Sequence, residues 1–254
     1  MNDSFALYPP PAETRDLGSR VQAPPPGERT VQIPPDCKLD LLWALGDGWR
    51  ATDGEGAWLR FEMDMGLNRP QAYRITVKAD GIVIGARTAF GWFHGAVTLA
   101  QWLALQVDAT DLPSIEIVDQ PLTERRGYML DVSRDRVPKQ GELLALIDRL
   151  ARLKYNHLEL YLEHTFAYEG HEAAHQHSSP ITPAEMRELV AYGAARGIDL
   201  VPNQNTFGHM HRWLSLPEYN HLAEEPEGTL HAFDYRREPF GLCAANSGSL
   251  RLIE

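Results

Sequence analysis

Residues 126–133 read RGYMLDVS, a short and nearly continuous apolar run that stops at a polar residue. Such a run fits a β-strand buried on both faces. HLELYLE at 157–163 and IDLVPNQN at 198–205 repeat the pattern. The spacers between these runs predict helices. From about Lys139, the residues Leu143, Leu144, Ile147, Leu150 and Ala151 fall on one face at helical spacing. The second helix has Thr182 at the N-cap, Pro183 at the first helical position and Glu185 three residues after the cap, which makes a capping box. Gly197 suits the left-handed position past its end. Strand, helix, strand, helix, strand with crossovers of this length means parallel pairing.

Polar and charged residues gather at the C-terminal ends of the three strands: Asp131 to Arg134, Glu163 with His164, and Asn203 to His209. A (β/α)8 TIM barrel shows that distribution, because its site is built from the loops leaving the strands. A doubly wound sheet would place ligand groups similarly, but no G-x-G-x-x-G or Walker lysine loop is present. A full barrel takes about 250 residues, and only about half that length remains after position 126. The expected fold class is therefore α/β: the first three βα units of an incomplete barrel, with the chain a fragment.

Ahead of these units the pattern differs. Pro9 to Pro11, Pro24 to Pro26, and Pro34 with Pro35 predict an extended arm over the first 36 residues. AYRITVKADGIVIGA, residues 72–86, alternates apolar and polar residues around Asp80-Gly81, a hairpin signal. Between Thr88 and Leu105 the residues Phe90, Phe93, Val97, Leu99, Trp102 and Leu103 recur near helical spacing. SIEIVDQP, residues 114–121, adds a strand and a stop. The expected domains are a small α+β domain at 1–122 and the barrel portion at 123–254.

The chain has 35 acidic and 24 basic residues and a formal charge of −11. Such a surface repels phosphate backbones, which argues against nucleic acid as a partner. No apolar run reaches membrane-spanning length, so no membrane association is expected. The first residues lack the basic and apolar regions of a secretory signal. Cys37 and Cys243 are far apart in sequence and suggest neither a disulfide framework nor a CxxC site. A reduced, cytoplasmic setting is expected.

His171-Glu172-Ala173-Ala174-His175 matches the zinc-peptidase pattern H-E-x-x-H, which needs a helix to bring both imidazoles to one metal. Gly170 before it and Ser178, Ser179 and Pro180 after it leave scarcely two helical turns and no apolar stripe, so a polar loop is expected. No metal or cofactor is therefore expected. Arg134 can offer fixed N–H donors to sugar hydroxyls or a carboxylate, or pair structurally with Asp131 or Asp135. Glu163 and His164 are two titratable groups at a strand end. Asn203, Gln204 and Asn205 resist a packing explanation, since buried amides must be hydrogen-bonded. Gly208 would permit a tight turn aiming His209 inward. His211 and Trp213 are helix-face residues or, for Trp213, a ring against a sugar.

RGYMLDVSRDRVPK, KYNHLELYLEHTFAYEGHE and ITPAEMRELVAYGAARGIDLVPNQNTFGHM together resemble family 20 glycoside hydrolases, the β-N-acetylhexosaminidases. EHTFAYEG and NTFGH are most similar to the branch that includes hexosaminidase D. The resemblance runs from about Tyr73 onward and is strongest over 126–215. It implies that the first domain is zincin-like in fold without binding zinc. It implies that Arg134 holds hydroxyls of a terminal sugar and that His209 supports the catalytic acid. Glu163 and His164 take the place of acidic residues ending strand two and would contact sugar. Many members carry an aspartate where this chain has Asn205, and a histidine where it has Asp135.

The implied reaction is retaining and substrate-assisted: the 2-acetamido oxygen attacks the anomeric carbon while a Glu protonates the leaving oxygen and an adjacent Asp orients the acetamide. The chain contains no Asp-Glu dipeptide. The pair is thus expected beyond Glu254, and the 254-residue chain is expected to be inactive alone and poorly soluble. The implied partner is a glycan or glycoside bearing terminal N-acetylglucosamine or N-acetylgalactosamine. A carbohydrate-binding protein without hydrolysis is the alternative, and a zinc peptidase through His171 and His175 a further one. The sequence is silent on oligomeric state.

Overall fold

The computed structural model describes residues 7–54, 56–106, 108–134, 136–230 and 237–254. The chain divides into two compact units. One holds Met1–Arg126, Leu146–Asn156 and Tyr192–Ile198, and the other Gly127–Ala145, His157–Ala191 and Asp199–Glu254.

The first unit is built on a seven-stranded mixed sheet. Its strands are β1 (Glu13–Gln22), β2 (Arg29–Gln32), β3 (Trp49–Ala51), β4 (Leu59–Met63), β5 (Tyr73–Lys78), β6 (Gly81–Ala86) and β7 (Asp111–Asp119), in the order β1-β7-β5-β6-β4-β2-β3. A short helix, α1 (Leu41–Leu45), lies between β2 and β3 in sequence. The Asp80-Gly81 hairpin joins β5 and β6 as the alternation predicts, with Lys78 paired to Gly81. Helix α2 (Ala89–Ala104) starts at an N-cap Thr88 and packs against β5 and β6. Phe93, Val97, Leu99 and Trp102 of this helix are buried with Ile75, Ile82 and Ile84 of the strands.

The proline-rich start is not an arm. Residues 13–22 form β1, which pairs antiparallel with β7, and residues 29–32 form β2, which pairs with β3 and β4. Pro24 to Pro26 occupy the connection between them, where a missing N–H costs no ladder bond. β1 is an edge strand whose only buried residue is Val21, so backbone pairing holds it without an apolar pattern.

In the second unit, β8 (Gly127–Asp131), β9 (His157–Leu162) and β10 (Asp199–Gln204) form a parallel sheet in the order β10-β9-β8. The crossovers are α3 (Gln140–Arg152) and α5 (Pro183–Ala195). The capping box forms: the Glu185 carboxylate accepts Thr182 N–H at 2.8 Å, and the Thr182 hydroxyl accepts Glu185 N–H at 3.2 Å. Gly197 takes the left-handed turn at φ 69°. One expectation fails. β8 is exposed rather than buried on both faces, with Tyr128 at 43% and Met129 at 56%. Among the described residues β8 is the sheet's edge, while the central strand β9 has Leu158, Leu160 and Leu162 buried.

The register sorts the side chains. Met129, Glu159 and Val201 align across the sheet, as do Asp131, Tyr161 and Asn203. Successive residues point to opposite faces. One face therefore carries Asp131, Glu159, Tyr161 and Asn203, and the other carries the buried leucines of β9. After β10 come α6 (His211–Leu214), a short 3-10 turn (Asn220–Leu222), the hairpin of β11 (Thr229–Leu230) and β12 (Arg237–Glu238), and α7 (Ser247–Ile253). Met210, Trp213, Leu214, Leu222 and Leu242 form a second core with Ala174. A four-residue helix, α4 (Glu172–His175), holds that alanine.

Candidate functional site

Glu163 lies one residue past β9 and is only 3% exposed. A buried carboxylate needs partners, and this one has several. Its Oε1 accepts hydrogen bonds from Arg134 Nη1 and from the Tyr161 hydroxyl at 2.9 Å. His209 Nδ1 lies 3.2 Å from the same oxygen. Behind it, Glu163 N–H donates to the Ser133 hydroxyl at 2.8 Å, and Glu163 C=O accepts Gln204 Nε2 at 2.7 Å. Glu163 is thereby fixed at both backbone groups and at its side chain.

Arg134, in the loop after β8, leaves half of its side chain exposed beside this carboxylate. Its guanidinium sits 5.5 Å from the Tyr161 ring centroid and 3.4 Å from Asp131 Oδ2. Partial burial works against its charge, but Tyr161, Glu163 and Asp131 together hold its pKa above the usual arginine value. Arg134 is permanently charged, and half of its side chain is open to solvent.

The amides of β10 are satisfied, as their position demands. Asn203 Nδ2 donates to Glu159 Oε1 at 2.5 Å, and the Tyr168 hydroxyl donates to Gln204 Oε1 at 2.8 Å. Asn205 Nδ2 donates to the Tyr161 hydroxyl at 2.7 Å, while its Oδ1 accepts the N–H groups of Phe207 and Gly208, each at 3.2 Å. That bridge folds the loop so that His209 faces Glu163. The left-handed residue in this loop is His209 itself, at φ 57°, and not Gly208. A side chain is uncommon in that region, and its occurrence marks a position determined by its surroundings. Gly208 has a different role: a Cβ there would meet the Phe240 ring at 3.3 Å.

The structure thus joins Arg134, Glu163, His209 and, through Tyr161, Asn205. It does not join His164 to them. The His164 ring packs at 6.3 Å from His211, and its carbonyl accepts the Ser178 hydroxyl at 3.1 Å. Burial first, then the charge of Arg212 and the nearby His211, lower the pKa of His164. Asp135 lies outside the described residues. Tyr161, which sequence reasoning missed, and Ser133, which lies within the Asp131 to Arg134 cluster, also bond to Glu163. Two-residue alternation along Glu159, Tyr161 and Glu163 was the available signal for Tyr161.

The H-E-x-x-H histidines have separate partners. His171 precedes α4 as its N-cap, and its Nδ1 lies 3.3 Å from Trp213 Nε1 and 3.0 Å from the Tyr219 hydroxyl. His175 Nε2 lies 3.4 Å from the Tyr168 carbonyl. Trp213 is 4% exposed and belongs to the second core.

These features describe an α/β protein with a polar, charge-bearing site at the C-terminal edge of a parallel sheet. Residues 40–120 match the model of glycosyl hydrolase family 20, domain 2, and residues 124–254 match that family's catalytic domain. The chain belongs to glycoside hydrolase family 20. It is 29% identical over 209 residues to a beta-hexosaminidase of Akkermansia muciniphila, covering 73% of this chain and 40% of that protein. It is 31% identical over 155 residues to a beta-N-acetylhexosaminidase of Cellulomonas fimi, covering 55% of this chain and 31% of that one.

Among solved structures, the N-acetyl-beta-hexosaminidase of Streptomyces plicatus superposes with a TM-score of 0.79 at 24% identity, covering 99% of this chain and 55% of that one. A family 20 beta-N-acetylhexosaminidase of Streptomyces coelicolor A3(2) gives 0.79 at 23%, covering 98% and 56%. The chain thus spans about half the length of these structures or less of the curated relatives. Among the described residues, no helix is long and apolar enough to cross a membrane.

Proposed function

We propose that this chain supplies the sugar-holding part of a retaining, substrate-assisted exo-β-N-acetylhexosaminidase. The observation that carries the reading is the buried Glu163 carboxylate, which ties Arg134 and His209 together at the polar end of three parallel strands. Arg134 offers planar donors to adjacent hydroxyls of a terminal N-acetylglucosamine or N-acetylgalactosamine. Glu163 fixes the direction of those donors and keeps the His209 ring in place. His209 in turn supports the acid that protonates the leaving oxygen. The carboxylate beside His209 is that of Glu163, so the amide at Asn205 does not leave the ring without an acidic neighbour.

The attacking group in this reading is the substrate's own acetamide oxygen, which forms an oxazoline-type intermediate and preserves the anomeric configuration. An Asp-Glu pair is needed to orient the acetamide and protonate the glycosidic oxygen, and none occurs within these 254 residues. The three parallel strands are taken as the first βα units of a TIM barrel spanning 123–254. Residues 1–122 are taken as a zincin-like domain, and a cytoplasmic setting fits the two distant, free cysteines.

A second reading is a carbohydrate-binding protein that does not hydrolyse. The purified chain, incubated with 4-nitrophenyl N-acetyl-β-glucosaminide, is expected to bind the glycoside without releasing nitrophenol. Turnover by this chain would overturn the assignment of the acid to residues outside it. A gene that continues with a strand ending in Asp-Glu favours the enzyme, and one that does not favours the binder.

A further inference from the structure

A cavity of about 460 Å³ lies in the second unit. Arg136, Arg212, His164 and His177 line it, with the hydroxyls of Ser133 and Thr165. Arg134, Glu163, Tyr161, Asn205 and His209 do not. Among the described residues no carboxylate lines this cavity, and neither Arg136 nor Arg212 has a carboxylate partner. Two arginines facing one concavity create a local positive potential.

Two further features mark the lining. His164 stands in it with Nδ1 buried and unpartnered among the described residues. Burial and the charge of Arg212 lower the His164 pKa. The wall segment is held in a costly backbone shape: His177 and Ser179 both adopt left-handed conformations, at φ 65° and 49°. Outliers of this kind persist where surrounding structure fixes them, and they cluster at ligand-binding segments.

We propose that this cavity binds an oxyanion monoester, a phosphate or sulfate ester of a sugar-sized molecule, at a site separate from the Arg134–Glu163–His209 cluster. Arg136 and Arg212 would grip the ester oxygens from two sides, the geometry in which guanidinium groups bind phosphate and sulfate best. The volume exceeds what an inorganic anion fills and falls in the range of small-molecule pockets. Occupancy would be felt at the first site through Ser133. Its hydroxyl bonds to Thr165 at 2.9 Å inside this cavity's lining and accepts the Glu163 N–H. The inference does not rest on the glycosidase reading.

Calorimetric titration at constant ionic strength tests it, with glucose 6-phosphate, glucose 6-sulfate, inorganic phosphate and glucose as probes. None carries the acetamido group of an N-acetylhexosamine. At least one ester should bind, more tightly than inorganic phosphate, and glucose should not. Preference between the two esters identifies the source of the anion. Arg136→Ala and Arg212→Ala should each weaken binding about tenfold, with the circular dichroism spectrum unchanged because both side chains are exposed. Arg134→Ala should leave ester binding as it was. The proposal is overturned by absence of binding to both esters, by equal binding to inorganic phosphate, by affinity unaltered in both arginine variants, or by loss of binding in Arg134→Ala.

Discussion

His209 Nδ1 lies 3.2 Å from Oε1 of Glu163, a carboxylate 3% exposed that also holds Arg134. Two residues, one at the end of β9 and one in the loop after β10, are thus tied through a single oxygen. Glu163→Gln keeps the shape and removes the charge. It should weaken N-acetylglucosamine binding about tenfold, because Arg134 and the His209 ring lose the charge that orients them. Titration calorimetry on the variant reads this directly, and a Tm within a few degrees of the parent shows that the fold survives.

The buried lysine of the first unit makes a stability prediction. Lys154 Nζ lies 2.8 Å from the Tyr73 hydroxyl and 3.1 Å from Asp119 Oδ2, and Tyr73 also donates to that carboxylate at 2.7 Å. Burial lowers the Lys154 pKa, against the opposing pull of Asp119. Lys154→Met should cost about 3 kcal/mol in urea unfolding by leaving Asp119 partly buried without its cation. Adding Asp119→Asn should recover most of that loss.

His94 gives a pH dependence. Burial first, then the charges of Arg126 and Lys154, lower its pKa from 6.5 to about 3. The folded value lies below the unfolded one, so the unfolded chain binds the extra proton. Stability from this group is complete above pH 6.5 and declines as pH falls toward 3. His94→Gln should flatten that part of the stability profile, measured as Tm against pH, by at most a few kcal/mol over the range.

Gly91 of α2 allows close contact between helix and sheet. A Cβ there would stand 2.4 Å from the Ala72 carbonyl oxygen and 2.6 Å from the Ala86 Cβ. Gly91→Ala should therefore destabilise by about 2 kcal/mol despite the better helix propensity of alanine. A stabilised variant in chemical denaturation would contradict the packing described.

What the sequence revealed follows from where its signals are local. The capping box at Thr182 and Glu185, the left-handed Gly197 and the Asp80-Gly81 hairpin are decided by a few neighbouring residues, and all three form. β1 escaped notice because an edge strand paired to β7 needs no apolar alternation, and only Val21 of it is buried. β8 misled in the opposite sense: its apolar run suggests cover on both faces, yet its outer edge is unpaired among the described residues.

At the site, the residue types at the three strand ends were legible. The bonds between them were not, since they depend on register. Asp131, Tyr161 and Asn203 align only once β9 sits between β8 and β10. Adjacency in sequence groups His164 with Glu163, but both lie in the bend that follows β9, where strand alternation no longer sets direction. His164 turns to His211.

The central claim is that Arg134, fixed by Glu163, holds the terminal sugar. Nuclear magnetic resonance of the His209 ring protons during titration with N-acetylglucosamine tests it most directly. Saturable shifts are expected in the parent chain and should vanish in Arg134→Ala. Unshifted His209 signals at millimolar sugar, or identical shifts in the arginine variant, would contradict it.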